Sequence, residues 1–257
     1  MTSVGSFLVR GLLAGLFAGV VAFGVAYAVG EPSIDAAIAI EEAGAHSHEA
    51  GHPEEEAGTE VPRSLQSTLG LLTATAVAGT TLGGLVGVLS ALALGRFGGL
   101  GVRGSTLLIT AIGFVSLYAV PFVAYPPNPP AVGHAETIVT RTALYFATVA
   151  ISVVAALTAV LVGRRLAERL GSWSAALLGV AGYLLVCGVA LGLLPGYDEV
   201  PADFPATVLY SFRTGSFGTQ LALWAVLGVV LAELAHRLVI RSGRAAKADQ
   251  QLAATAS

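Results

Sequence analysis

The sequence predicts an all-α integral membrane protein with six transmembrane helices and both termini in the cytoplasm. Three observations carry this reading. Hydrophobic residues make up 55% of the 257 residues and charged residues only 11%, whereas a soluble domain carries roughly a quarter. So few charges cannot cover an aqueous surface, and lipid must be the solvent for most of the chain. Six apolar runs reach the length of about 20 residues that a helix needs to cross the hydrocarbon core. The charges between these runs segregate by side. No polar–apolar alternation at period two occurs, which argues against a strand barrel.

The first span is read from Phe7 to Val29. Arg10, the apolar run behind it and Ala26-Tyr27-Ala28 also have the outline of a signal peptide cleaved before Val29. The uncharged run from Gly11 to Gly30 is long for such a segment, so a retained span is expected. The second span runs from about Leu69 to Leu94, the third from Ser105 to Tyr125 and the fourth from Ala143 to Gly163. The fifth covers Ser174 to Leu194 and the sixth Ser216 to Leu238. Together they form a membrane domain over residues 1–242, with 43–61 a flexible His/Glu-rich external loop and 243–257 a disordered cytoplasmic tail.

None of the spans holds a central Asp, Lys or Arg. Their polar groups are mild, such as Thr73, Thr75, Thr80 and Thr81 on the second and Gln220 on the sixth. Interhelical hydrogen bonds account for them. Glu233 and His236 near the end of the sixth span suggest an interfacial ion pair with Arg237. The single cysteine, Cys187, lies in an apolar run and reads as a packed thiol.

With the N-terminus inside, Arg10, Arg96, Arg103, Arg164, Arg165, Arg169, Arg237, Arg241, Arg244 and Lys247 are cytoplasmic. Only Arg63, Arg141 and Arg213 fall outside, so every loop obeys the positive-inside rule. The outer side receives 13 of the 16 acids. Packing is foreshadowed by glycines at intervals of four: Gly11, Gly15 and Gly19; Gly79, Gly83 and Gly87; Gly188, Gly192 and Gly196. Each set lays a flat stripe on one helix face, where backbones can approach closely. Each external loop also ends in its one arginine followed by a hydroxyl residue: Arg63-Ser64, Arg141-Thr142 and Arg213-Thr214. This pattern suggests three helical hairpins in parallel orientation.

The first external loop carries His46, His48 and His52 among Glu49, Glu54, Glu55, Glu56 and Glu60. Neutral imidazoles bind late first-row divalent ions and carboxylates add ligands and charge. Such a loop could capture a metal transiently or serve as an acidic spacer, and the motif does not choose among cobalt, nickel, zinc and copper. Before it, Glu31 and Asp35 are spaced to share a helical face. Pro32 suits a first helical turn, so a short external helix on the bilayer surface is expected, with Glu41 and Glu42 nearby. Carboxylates at such a mouth concentrate cations.

The proline-rich segment from Tyr125 to Pro130 reads as a stiff tether, and His134 as a surface residue. After the fifth span come Asp198, Glu199 and Asp203. Arg63, Arg141 and Arg213 are expected to pair with some of these acids near the interface. Enzyme classes are poorly served: no G-x-x-x-x-G-K-[ST], G-x-S-x-G or H-E-x-x-H occurs, and Lys247 is the only lysine.

Several segments together resemble the CbtA family of cobalt transporter subunits. They are Gly30-Glu31-Pro32-Ser33-Ile34-Asp35 with Glu41-Glu42, Arg63-Ser64-Leu65-Gln66-Ser67-Thr68-Leu69-Gly70, and Tyr125-Pro126-Pro127-Asn128-Pro129-Pro130. Thr140-Arg141-Thr142, Leu194-Pro195 through Phe204-Pro205, Phe212-Arg213 and Gln220-Leu221-Ala222-Leu223-Trp224 complete the set. The resemblance implies a prokaryotic plasma-membrane protein taking up cobalt for cobalamin synthesis. It also implies a small single-span, histidine-bearing partner of the CbtB type. On this reading His46, His48 and His52 take the ion first and no cofactor is tightly bound. A membrane scaffold or metal-responsive accessory subunit is the alternative.

Overall fold

The computed structural model describes residues 3–48, 61–97 and 99–255. Its helices are α1 (Val4–Val25), α2 (Glu31–His48), α3 (Arg63–Leu65), α4 (Leu71–Ala93), α5 (Val102–Phe114), α6 (Val120–Ala124), α7 (Ile138–Leu170), α8 (Ser172–Leu193) and α9 (Ala206–Thr255). No strand occurs among the described residues. Six helical stretches are long and apolar enough to cross a membrane: Val4–Gly44, Arg63–Ala93, Val102–Ala124, Ala135–Leu170, Ser172–Leu193 and Ala206–Arg244. The protein is a multi-pass membrane protein of six such helices.

Several boundaries differ from the sequence reading for identifiable reasons. The expected surface helix at Glu31 is not a separate element, because the chain stays helical from α1 into α2 through a π-helical turn at Ala26–Gly30. That turn is closed by a bond from the Glu31 N–H to the Ala26 carbonyl. The wider turn makes room for Pro32, which has no N–H to donate and would crowd a regular α turn. The Ser33 hydroxyl then donates to the Gly30 carbonyl at 2.7 Å. Further π turns sit at Gln66–Gly70 and Val115–Ala119. The last helix is 50 residues long and reaches Thr255. Within the stretch expected to be an unstructured tail, residues 243–255 are therefore helical, in keeping with their alanine-rich sequence and lack of proline.

The chain divides into two compact units. The first comprises Met1–Gly24, Leu69–Ala111 and Gln220–Ser257. Its seam is made by glycine. A Cβ at Gly11 would fall within contact of the Gly83 carbonyl, one at Gly15 within contact of Gly79, and one at Gly83 back onto Gly11. A Cβ at Gly87 would come 2.6 Å from the Phe7 carbonyl. No side chain larger than hydrogen fits between α1 and α4 here, so their backbones touch directly. In the same unit, Gly228 of α9 faces the Thr110 methyl of α5, 3.1 Å from where a Cβ would stand. Phe7, Ala235 and Leu238 form a buried cluster with Leu94 and Val102 around it.

The second unit comprises Val25–Thr68 and Ile112–Thr219. Its α7 and α8 form an antiparallel hairpin turned at Gly171, where φ is +79°. The Ser152 and Tyr183 hydroxyls hydrogen-bond across that hairpin at 2.7 Å. The third glycine stripe does not pack as expected: a Cβ at Gly188, Gly192 or Gly196 would meet nothing within 4 Å. The close approach lies between two and three turns earlier, where a Cβ at Gly179 would stand 3.4 Å from the Ala159 carbonyl. Phe114, Tyr118, Phe122 and Phe217 stack in one cluster with ring centroids 5.4–6.2 Å apart.

Burial is inverted relative to a soluble core. Ala14, Ala18, Ala22, Ser105, Thr106 and Ser152 are buried, while Val139 and Leu193 are about four-fifths exposed at 78% and 80%. Small and hydroxyl residues allow helices to meet, and many large apolar ones face outward, although Phe7, Trp224, Leu227 and Leu231 are buried.

Candidate functional site

The second unit gathers the acids and arginines that the sequence singles out. Each of the three arginines enters from the start of a helical stretch and reaches an acceptor on another segment. Arg63, the first residue of α3, holds two carboxylates of α2. It pairs with Glu31, and its Nε donates to Asp35 Oδ1 at 3.0 Å. Glu31 is buried, whereas the Asp35 side chain is 61% exposed. Both acids lie on one face because they are one helical turn apart.

Arg141, in the first turn of α7, pairs through Nη1 with Glu199 Oε2 at 3.0 Å. Gly133 makes this possible, since its φ of +122° carries no side-chain penalty and a Cβ there would sit 2.9 Å from the guanidinium. The His134 backbone N–H donates to the same Glu199 oxygen at 3.1 Å. Arg213, in the second turn of α9, donates to Asn128 Oδ1 at 3.0 Å. The 125–137 segment and the segment after α8 are thus tied by Arg141–Glu199. A bond from the Tyr125 hydroxyl to the Pro195 carbonyl at 2.9 Å ties them again. Beneath these ties Ala37 of α2, Val132 and Phe204 share one small buried cluster.

Electrostatics follow the geometry. Thr137, the His134 backbone N–H and the Arg141 guanidinium together hold the Glu199 carboxyl below the usual carboxylate range, against a smaller opposing effect of burial. Among the described residues of the segments that carry this site, the exposed acids are Asp35, Glu41, Glu42, Glu136, Asp198 and Asp203. Arg141 and Arg213 each keep a buried Nε–H without a hydrogen-bond partner among the described residues. No group of three or more His, Cys, Asp or Glu side chains poised to hold a metal ion occurs among the described residues. The buried carboxylates of this site are held by arginine.

A family model described as "Probable cobalt transporter subunit (CbtA)" matches residues 4–236. The chain belongs to the CbtA family. The match takes in the first five helical stretches, most of the sixth and all three arginine ties, and it assigns the chain to a family of transporter subunits. No curated protein and no solved structure matches the chain.

The sequence-based candidates distribute as follows. Glu31, Asp35 and Arg63 meet in one constellation, and Arg141 and Glu199 in another. Arg63 does not pair with the acids after α8, as expected, but with Glu31 and Asp35 in the first turns of α2, beside which α3 lies. Arg213 has an amide acceptor, and Asp198 acts on it only at longer range. Glu41 and Glu42 are exposed on α2. His46 and His48 belong to the backbone of the last turn of α2. Their side chains, and all of His52, lie outside the described residues.

Away from this site, in the first unit, Glu233 pairs with Arg237 at 2.7 Å and also with Arg103 of α5 at 2.7 Å. The sequence suggested the first bond as an interfacial ion pair at the end of the sixth span and did not suggest the second, which joins residues 130 apart. It also missed Asn128, for which no pattern distinguishes an acceptor from a loop-forming asparagine.

Proposed function

We propose that this chain is the membrane subunit through which a divalent transition-metal ion, cobalt destined for cobalamin synthesis, enters a prokaryotic cell. The family match over residues 4–236 carries this reading. The charge pattern supports its direction, with the acid-rich loops outside and both termini in the cytoplasm.

In the proposed cycle, exposed carboxylates such as Asp35 and Asp198 concentrate the cation at the mouth. His46, His48 and His52 supply borderline-soft nitrogen ligands that hold it briefly. Glu31 and Glu199 are the inner carboxylates, and Arg63 and Arg141 occupy them until a divalent ion competes. Arg213 braces the loop that carries Asn128. No cofactor is tightly bound, because the ion is cargo. A small single-span CbtB-type protein with histidines is the proposed partner, consistent with a family of subunits.

Radiolabelled cobalt uptake in a strain lacking the gene, and in the same strain complemented, tests the proposal. Uptake should fall without the gene and return with it; unchanged uptake would overturn the reading. The accessory-subunit alternative draws on the family's description as a subunit. Proteoliposomes separate the two. Flux with this chain alone supports a permease, and flux only with the partner supports the accessory role.

A further inference from the structure

An apolar groove of about 540 Å³ runs along the α7–α8 hairpin, lined by Val154, Thr158 and Val162 of α7 and by Gly182, Tyr183 and Val186 of α8. It extends along α7 from Ala150 to Leu166, about 24 Å at 1.5 Å per residue. One leaflet of hydrocarbon is only about 15 Å deep, half of a 30 Å core. The groove is therefore long enough for an acyl chain at full leaflet depth.

Charge is concentrated at one end. Arg164 and Arg165 line an adjoining shallow depression with Leu161 and Glu168, and Arg169 follows one turn later, exposed. Three arginines against one glutamate leave this end positive. The turn at Gly171 brings the start of α8 to the same end. Its N-cap position makes no side-chain capping bond, so first-turn N–H groups are free to meet an anion. Trp173, 77% exposed, stands beside it as an interfacial anchor.

We propose that the α7–α8 groove is a binding site for one anionic phospholipid. An acyl chain fills the space beside Gly182, and the phosphate is held by Arg164 and Arg165. Within a bilayer, filling an apolar groove gains little selectivity, because every lipid carries the same tails. Selection comes from the headgroup, since basic side chains near the membrane surface favour an anionic lipid by about 1 kcal/mol each. Two such residues correspond to a preference of more than about tenfold.

Native mass spectrometry of the full-length, detergent-solubilised chain tests this. Phosphatidylglycerol and phosphatidylcholine with identical acyl chains are titrated against it. The wild type should retain phosphatidylglycerol at least about tenfold more tightly. The double variant Arg164→Gln/Arg165→Gln should lose that preference while still binding both lipids weakly. Gly182→Leu fills the groove at a position where a Cβ meets nothing within 4 Å, so it should reduce retention of both lipids without unfolding the hairpin. Equal retention of the two lipids by the wild type would overturn the proposal, as would phosphatidylglycerol binding untouched by Gly182→Leu. A wild-type dimer that Gly182→Leu converts to monomer, with lipid binding unchanged, would assign the groove to a second copy of the chain and overturn it as well.

Discussion

Glu31 and Arg63 show how much one side chain can depend on another. Glu31 is 7% exposed, and its carboxylate is tolerable there because a guanidinium neutralises it. Replacing Arg63 with glutamine strands that charge and should cost about 1–3 kcal/mol, read as a lower melting temperature in detergent. Adding Glu31→Gln to that variant should recover part of the loss, because the pair is coupled and the two effects are not additive. Glu199 makes a pH-dependent counterpart. Its folded-state pKa lies below the unfolded value, so its contribution is present above the ordinary carboxylate range and is lost as pH falls through the depressed folded value. Amide protection around His134, taken relative to the intrinsic exchange rate at each pH, should therefore be high at neutral pH and fall in strong acid, and Glu199→Gln should flatten that dependence. A protection factor independent of pH in the wild type would contradict the role given to this carboxylate.

Among the elements, glycine spacing was legible in the sequence, but the partner of each stripe was not. Three stripes of equal spacing read alike, yet Gly11, Gly15, Gly79 and Gly83 lie at a backbone contact while Gly188 and Gly192 face open space. Periodicity places residues on one face; it carries no information about what that face meets. Gly15→Leu should consequently abolish stable folding or displace α1, at a cost beyond the about 1–3 kcal/mol of ordinary overpacking. Gly188→Leu should leave the melting temperature nearly unchanged. Both are measured by thermal unfolding in detergent, and equal effects would refute the seam. The π turns were equally hidden. Pro32 signalled a helix start, and only the three-dimensional path shows that it is accommodated inside a continuing helix.

For the whole molecule, the count of six spans was legible because hydrocarbon thickness fixes the length of each apolar run, from Phe7–Val29 to Ser216–Leu238. The pairing of arginines was legible in two ways: Arg237–Glu233 from closeness in sequence, and Arg141–Glu199 from the scarcity of arginine beside the outer acids. Arg103–Glu233, and the choice of Glu31 and Asp35 by Arg63, join distant segments that no pattern in the sequence brings together. The proposed orientation makes its own test. In a Cys187→Ser background, Glu136→Cys should react with an impermeant thiol reagent applied to intact cells, and Arg244→Cys only after permeabilisation. The reverse pattern would invert the transport direction. Alanine at His46, His48 and His52 together should slow uptake at limiting cobalt and leave it near normal at saturating cobalt, since capture matters only when the ion is scarce.

The bare-backbone contact between α1 and α4 also restricts how this machine can move. Interlocked ridges of carbonyls and Cα atoms behave like a rack without clearance, because a slip of one residue would drive a methyl such as that of Ala14 or Ala18 into the opposing main chain. The two helices must then travel as one strut through any transport cycle, and sliding has to be sought at contacts cushioned by side chains.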